Sequence, residues 1–317
     1  MAFHGKLERL QALHAALRDL KPRPDSTAAW FCASALLPAD GDPSELAGAA
    51  LERHDAIRDQ VGRHAAPTSG LRWAYAGILV RSGVTVARFT ELRSAVRDAR
   101  KASDTGALGA GGSRAALVLC AGDLAPDIAA DRFYAMKQAL NPPWWRRDPS
   151  VTDTYAAAHA VRGDDPRTVA QARSRAEAVF KEDQRTRGHK RSGARACTLF
   201  DAEPRTVLRR FDTLEAIRKH ERILRHRVGR ALLLDWAAEG LEDRDLDIIS
   251  QIIDETPRKC SVSGEGRARL AYLVHTSDRK NLIAGEVSAL AAIIAAQTAA
   301  IVAATSAATV ATTTAST

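Results

Sequence analysis

Apolar residues along this chain gather into short dense runs, each followed by a Gly/Asp/Pro turn and then by a longer stretch whose apolar positions recur three and four apart. The runs occupy residues 28–37, 71–80, 115–120, 154–161, 194–200, 231–238 and 270–275. Taking Ser26, Gly70, Ser113, Ser150, Ser192, Gly229 and Arg267 as starting points, the theme repeats every 37 to 44 residues. Intervals of that size belong to helix–turn–helix repeats, in which one unit cannot bury its own apolar face and must stack on its neighbours. The pattern predicts an all-α chain, an α/α array of about seven helical hairpins over residues 1–281, with no run alternating at the strand period.

The two helices of each hairpin differ in character. The first, as in Ala231-Leu232-Leu233-Leu234, is apolar on every side and belongs in a shared interior. The second carries one apolar stripe, as at Phe211, Leu214, Ile217, Ile223 and Leu224, with Arg, Lys and Glu elsewhere. Turn chemistry supports the division: Asp165-Pro166 and Glu203-Pro204 each place a capping carboxylate before a proline suited to the first helical position. Gly83 and Gly240 stand where helices should stop. The Pro-bounded segment 141–149 cannot be helical and is the expected break if the array has halves, 1–141 and 150–281.

Composition agrees with helices. Aromatic residues are only 5% of the 317, and the apolar share leans on alanine, which favours close helix packing over sheets. Residues 287–317 carry no charge and are mostly Ala, Thr, Ser, Ile and Val. Ala and Thr gain little from lipid, so residues 282–317 read as a closing helix with a frayed tail rather than a membrane partner, with a tail anchor and self-association through the Ala-rich stripe as the alternatives. Cys32, Cys120, Cys197 and Cys260 form no close pair, which argues against a zinc knuckle or a disulfide framework. The first ten residues lack the apolar core of a signal peptide, and a cytoplasmic protein is expected.

Enzyme chemistry is hard to find. The cluster Gly106 to Gly112 lacks the Gly-Lys-Ser/Thr of a phosphate loop and the spacing of a dinucleotide fold, so it reads as a flexible connection. No histidine pair has helical metal-ligand spacing, and no cofactor is predicted. The carboxylates Asp164-Asp165 and those of 242–247 sit where helices begin and read as caps.

Charge is more informative. Arg72, Arg114, Arg195, Arg230 and Arg269 stand at equivalent early positions of five first helices, where a cation opposes the helix dipole. Either each pairs with a carboxylate of the preceding second helix, or together they form an Arg ladder for a carboxylate- or phosphate-bearing partner. Residues 187–230 hold 13 Lys/Arg and 5 Asp/Glu, so this stretch alone accounts for the net charge of +8. Within it, Arg209, Arg210 and Arg222 are candidate contacts for a nucleic-acid backbone. Trp144-Trp145 before Arg146-Arg147 combine residue types enriched in binding hot spots.

The segment Arg132-Phe133-Tyr134-Ala135-Met136-Lys137, the loop after it, and Thr152-Asp153 with its apolar run resemble an uncharacterised bacterial family catalogued as domain of unknown function 4003. Members of that family typically show a Met-Lys pair, then a His, then a Thr and an acidic pair. This chain keeps Met136, Lys137 and Asp153, with no His in the loop and a single acid. The resemblance implies no activity. On these residues the chain reads as a binding or scaffolding module for a protein or other anionic partner, not as an enzyme. Nucleic-acid binding through 187–230 and an α/α toroid enzyme are the alternatives.

Overall fold

A computed structural model describes residues 3–61, 67–103, 107–140, 152–256, 262 and 264–278. These hold fifteen α-helices and, among the described residues, no strand. In chain order they are α1 (Phe3–Asp19), α2 (Ser26–Leu36), α3 (Pro43–Val61), α4 (Ser69–Ser82), α5 (Val86–Ala99), α6 (Ser113–Leu119), α7 (Pro126–Leu140) and α8 (Asp153–Arg162). There follow α9 (Pro166–Glu182), α10 (Lys190–Leu199), α11 (Pro204–His220), α12 (Arg222–Arg225), α13 (Arg230–Glu239), α14 (Asp243–Glu255) and α15 (Gly264–His275).

All seven dense apolar runs are helices: α2, α4, α6, α8, α10, α13 and α15. In α2 ten of eleven residues, Thr27 to Leu36, are buried, the burial expected of a helix without a polar face. Caps form where the sequence places them. The Asp165 carboxylate accepts from Thr168 N at 2.8 Å and Glu203 from Thr206 N at 2.7 Å, each with proline next in the helix. Gly83 and Gly240 close α4 and α13 at φ 66 and 96, which residues with a Cβ rarely adopt.

One helix was not predicted. α1 precedes the first dense run, and its Leu7, Leu10, Leu13 and Leu17 recur at the helical spacing and are all buried.

The chain divides into two compact units, with boundaries after residues 86 and 247. The sequence suggested a break in the loop 141–149, which lies outside the described residues, as does the 282–317 tail.

The first unit takes residues 3–86 together with 248–278. In it α1 packs on α2 and α3, α2 and α3 on α4, and α15 on α1 and α2. Gly77 of α4 allows a close approach: a Cβ there would stand 3.0 Å from the Cys32 carbonyl oxygen and 3.1 Å from the Ala35 Cβ.

The second unit is the continuous stretch 87–247. Its apolar helices α6, α8, α10 and α13 pack in succession, and α7, α9 and α11 form a neighbouring layer. Each amphipathic helix lies against the apolar helix that follows it, α7 on α8, α9 on α10 and α11 on α13. Gly193 sits at one such junction, where a Cβ would meet the Phe180 ring at 3.0 Å.

Candidate functional site

The five early-helix arginines have different surroundings. The Nη2 of Arg195 donates to both carboxylate oxygens of Asp235 on α13, at 2.6 and 2.8 Å. Arg230 and Arg218 converge on Glu215 of α11, which is 2% exposed; Arg230 Nε reaches Oε1 at 3.3 Å and Arg218 Nε reaches Oε2 at 2.6 Å. Burial opposes ionisation of Glu215, but the two guanidiniums outweigh it and hold the carboxyl below its ordinary pKa. Arg269 pairs with Glu265 one turn earlier, at 2.5 Å. Arg72 is half-buried with Nε shielded and lacking a hydrogen-bond partner, and burial followed by repulsion from Arg58 lowers its pKa. Arg114 likewise has a shielded Nε without a partner, and its Cδ would touch a Cβ placed on Gly109 at 3.0 Å.

On α11 and α12 the situation differs. Arg205, Arg209, Arg210, Lys219, Arg222 and Arg225 are exposed, and among the described residues none holds a carboxylate. Arg209 donates only to Thr206 Oγ1, at 2.8 Å. The acids nearby are mostly engaged: Asp212 by Arg185 at 2.7 Å, Glu215 as above, and Glu203 as the α11 cap. Helical phase puts Phe211 and Leu214 inward and Arg205 and Arg209 on the opposite side.

Lys137 of α7 and Asp153 of α8 meet in one buried cluster. Lys137 Nζ lies 2.9 Å from Asp153 Oδ1, with side chains only 5% and 7% exposed. The other Asp153 oxygen accepts from Gly109 N at 2.5 Å, and Lys137 also donates to the Ala107 carbonyl at 3.3 Å. The Lys137 ammonium stands 5.6 Å from the Phe133 ring centroid. The part of the glycine cluster that is described is therefore held by a charge, not a free connection. Residues 109–112 form a tight turn in which Ala110 is left-handed at φ 49.

Sequence reasoning missed a concave site in the second unit. A cavity of about 640 Å³ lies among α8, α9, α10 and the start of α11. His159 of α8 is 1% exposed, and its Nδ1 lies 2.6 Å from Asp164 Oδ2. Burial lowers the His159 pKa against the opposing pull of Asp164, so the neutral ring donates from Nδ1. Arg162 Nε also holds Asp164, at 3.0 Å, and its Nη2 reaches Asp201 at 3.1 Å. Of its acids the sequence marked Asp164, Asp165 and Glu203, all read as caps; Asp165 and Glu203 are caps, and Asp164 holds His159 instead.

Trp144 and Trp145 lie outside the described residues. Cys32, Cys120 and Cys197 are free thiols, each pushed up to about 12 by burial. Among the described residues there is no cluster of metal-ligating side chains, and no helix is long and apolar enough to cross a membrane. Comparison of the chain with family models, with curated proteins and with solved structures gives no match.

Proposed function

We propose that the chain is a non-enzymatic binding module, an α/α array of helical hairpins, which receives an anionic macromolecule on the exposed face of α11 and α12. The observation that supports this is the contrast between two sets of cations. Arg195, Arg230 and Arg269 each hold a carboxylate of the chain itself. Arg205, Arg209, Arg210, Lys219, Arg222 and Arg225 are exposed with none among the described residues. Exposed cations that hold no carboxylate of the chain can donate charge-assisted hydrogen bonds to phosphate or carboxylate groups, the guanidiniums in bidentate fashion.

The partner class is tested with three labelled polyanions: duplex DNA, single-stranded RNA and poly-glutamate, followed by fluorescence anisotropy. Binding of nucleic acid should weaken steeply between about 50 and 200 mM salt, and each cation lost from the contact should flatten the log–log slope by about 1. The triple charge reversal Arg209→Glu, Arg210→Glu, Arg222→Glu should abolish it. Retention of poly-glutamate alone would point to an acidic protein partner. If no polyanion binds, or the triple variant binds like the wild type, the proposal fails.

A further inference from the structure

The basic face is ordered as well as charged. On α11 an exposed row runs through Arg205, Arg209, Asp212, Ala216 and Lys219, at alternating spacings of four and three. At about 1.5 Å of rise per residue, its ends stand about 21 Å apart. Asp212 within the row is held by Arg185 Nη1 at 2.7 Å, so its charge is already matched. The turn that follows is braced from inside. Arg218 Nη1 donates to the Arg225 carbonyl at 3.2 Å while the same guanidinium holds the buried Glu215, which fixes the backbone that carries the exposed Arg222 and Arg225.

The composition of this face selects among polyanions. Phe211 is the one Phe, Tyr or Trp of residues 204–228, and it is fully buried. The rings that stand exposed there are the imidazoles of His220 and His226. Among the described residues the exposed large apolar side chain is Ile128, which belongs to α7. Protein interfaces centre on apolar and aromatic anchors, and single strands are held by stacking their bases on aromatic rings. Residues 204–228 also contain no Asn or Gln, the side chains that read adenine edges. The hydroxyls of α11 that could meet an RNA 2′-OH are engaged within the helix: Thr206 Oγ1 accepts from Arg209 at 2.8 Å, and Thr213 Oγ1 donates to the Arg209 carbonyl at 3.4 Å.

We infer, on the basis of the function proposed above, that the polyanion received on this face is duplex DNA, held through its phosphates without reading of the bases. A duplex needs neither stacking platforms nor apolar anchors. With one phosphate per about 3.4 Å along each strand, a row of about 21 Å runs beside about six of them. Glu221 opposes the contact: it is exposed between the cations, its side chain caps neither helix end, and among the described residues it holds no cation.

The full chain is titrated over a salt series with a short labelled DNA duplex, one of its single strands, an RNA duplex of the same sequence and poly-glutamate, followed by fluorescence anisotropy. The DNA duplex should bind about tenfold tighter than the single strand, and the RNA duplex should bind no tighter than the DNA. Its log–log salt slope should be no steeper than about −5, six cations at about −0.9 each. Duplexes rich in A·T and in G·C should agree within about threefold. Glu221→Gln removes an opposing charge and no contact, and it should tighten duplex binding about threefold, a gain that misfolding does not produce. Tighter binding of the single strand, the RNA duplex or poly-glutamate, a larger preference between the two DNA compositions, or unchanged affinity in Glu221→Gln each overturns the inference. Any of these leaves the proposed function standing as long as the triple charge reversal abolishes what does bind. Failure of every polyanion to bind overturns both.

Discussion

Replacing Asp153 with alanine should be among the most damaging single changes in the second unit. The carboxylate is 7% exposed and serves two donors, the Lys137 ammonium at 2.9 Å and the Gly109 amide at 2.5 Å. Removing it leaves a 4%-exposed lysine without its counter-ion. Stripping one partner from a buried pair costs about 3–5 kcal/mol, because the remaining charge is desolvated and uncompensated. The stranded Gly109 N–H costs about 1–3 kcal/mol on the same scale, although part of it overlaps with the first figure. Asp153→Ala should therefore destabilise by at least about 3 kcal/mol, and Lys137→Met by a similar amount. The double variant Lys137→Met with Asp153→Asn removes both charges and keeps an acceptor for Gly109. It should be more stable than either single variant, which gives a coupling energy of about 2 kcal/mol or more. Urea unfolding followed by circular dichroism measures the three stabilities, and hydrogen exchange at the Gly109 amide reports the local contact. The reasoning is refuted if Asp153→Ala costs under about 1 kcal/mol, if the two single effects simply add, or if Gly109 remains protected in the alanine variant.

Two further predictions concern the first unit. Gly77→Ala should destabilise by about 1–2 kcal/mol despite the higher helix propensity of alanine, because the new Cβ meets a backbone oxygen at 3.0 Å; an unchanged or higher Tm would contradict this. His14 has its pKa lowered to about 4, first by burial and then by Arg18 and Arg23, so the unfolded chain binds the proton more readily than the folded one. The neutral ring's contribution is complete above pH 6.5 and is lost as pH falls from there toward 4. For this half-buried ring it amounts to about 1–2 kcal/mol once solvent screening is discounted. His14→Phe keeps the stack on Trp30, whose ring lies 3.9 Å away, and should flatten the slope of stability against pH in this interval. An unaltered slope in repeated denaturant titrations would exclude His14 as its source.

Local signals were legible and long-range ones were not. Each apolar run and each Asp-Pro or Glu-Pro start corresponds to a helix or a cap because hydrophobic period and capping act within about one turn. α1 was legible in the same way, through Leu7, Leu10, Leu13 and Leu17, but its polar residues draw attention away from the stripe. The Gly109 turn was read as a free connection because the carboxylate that holds it is 44 residues away. No periodicity specifies that pairing. The same limit hid the cavity. His159 and Asp164 are close in sequence, but the α9 wall, Cys197 of α10 and Asp201 of the turn after α10 are brought beside them only by packing. Among the arginines, equal positions in the pattern led to unequal partners: a following helix for Arg195, a preceding one for Arg230 and the same helix for Arg269.

The first unit is assembled from two stretches of chain separated by the whole of the second. The Lys6 ammonium donates to the His275 carbonyl at 2.9 Å across 269 residues, and α15 rests on α1 and α2. During synthesis from the amino terminus, residues 87–247 can complete their own contacts as they appear. Helices α1 to α4 must wait for α15 with part of their apolar surface uncovered. Closing so long a loop costs little in stability, since the entropy grows only with the logarithm of length, but it delays the contact. Residues 3–86 thus emerge before 87–247 and are finished after them, and they are the portion that would need shielding in the interval.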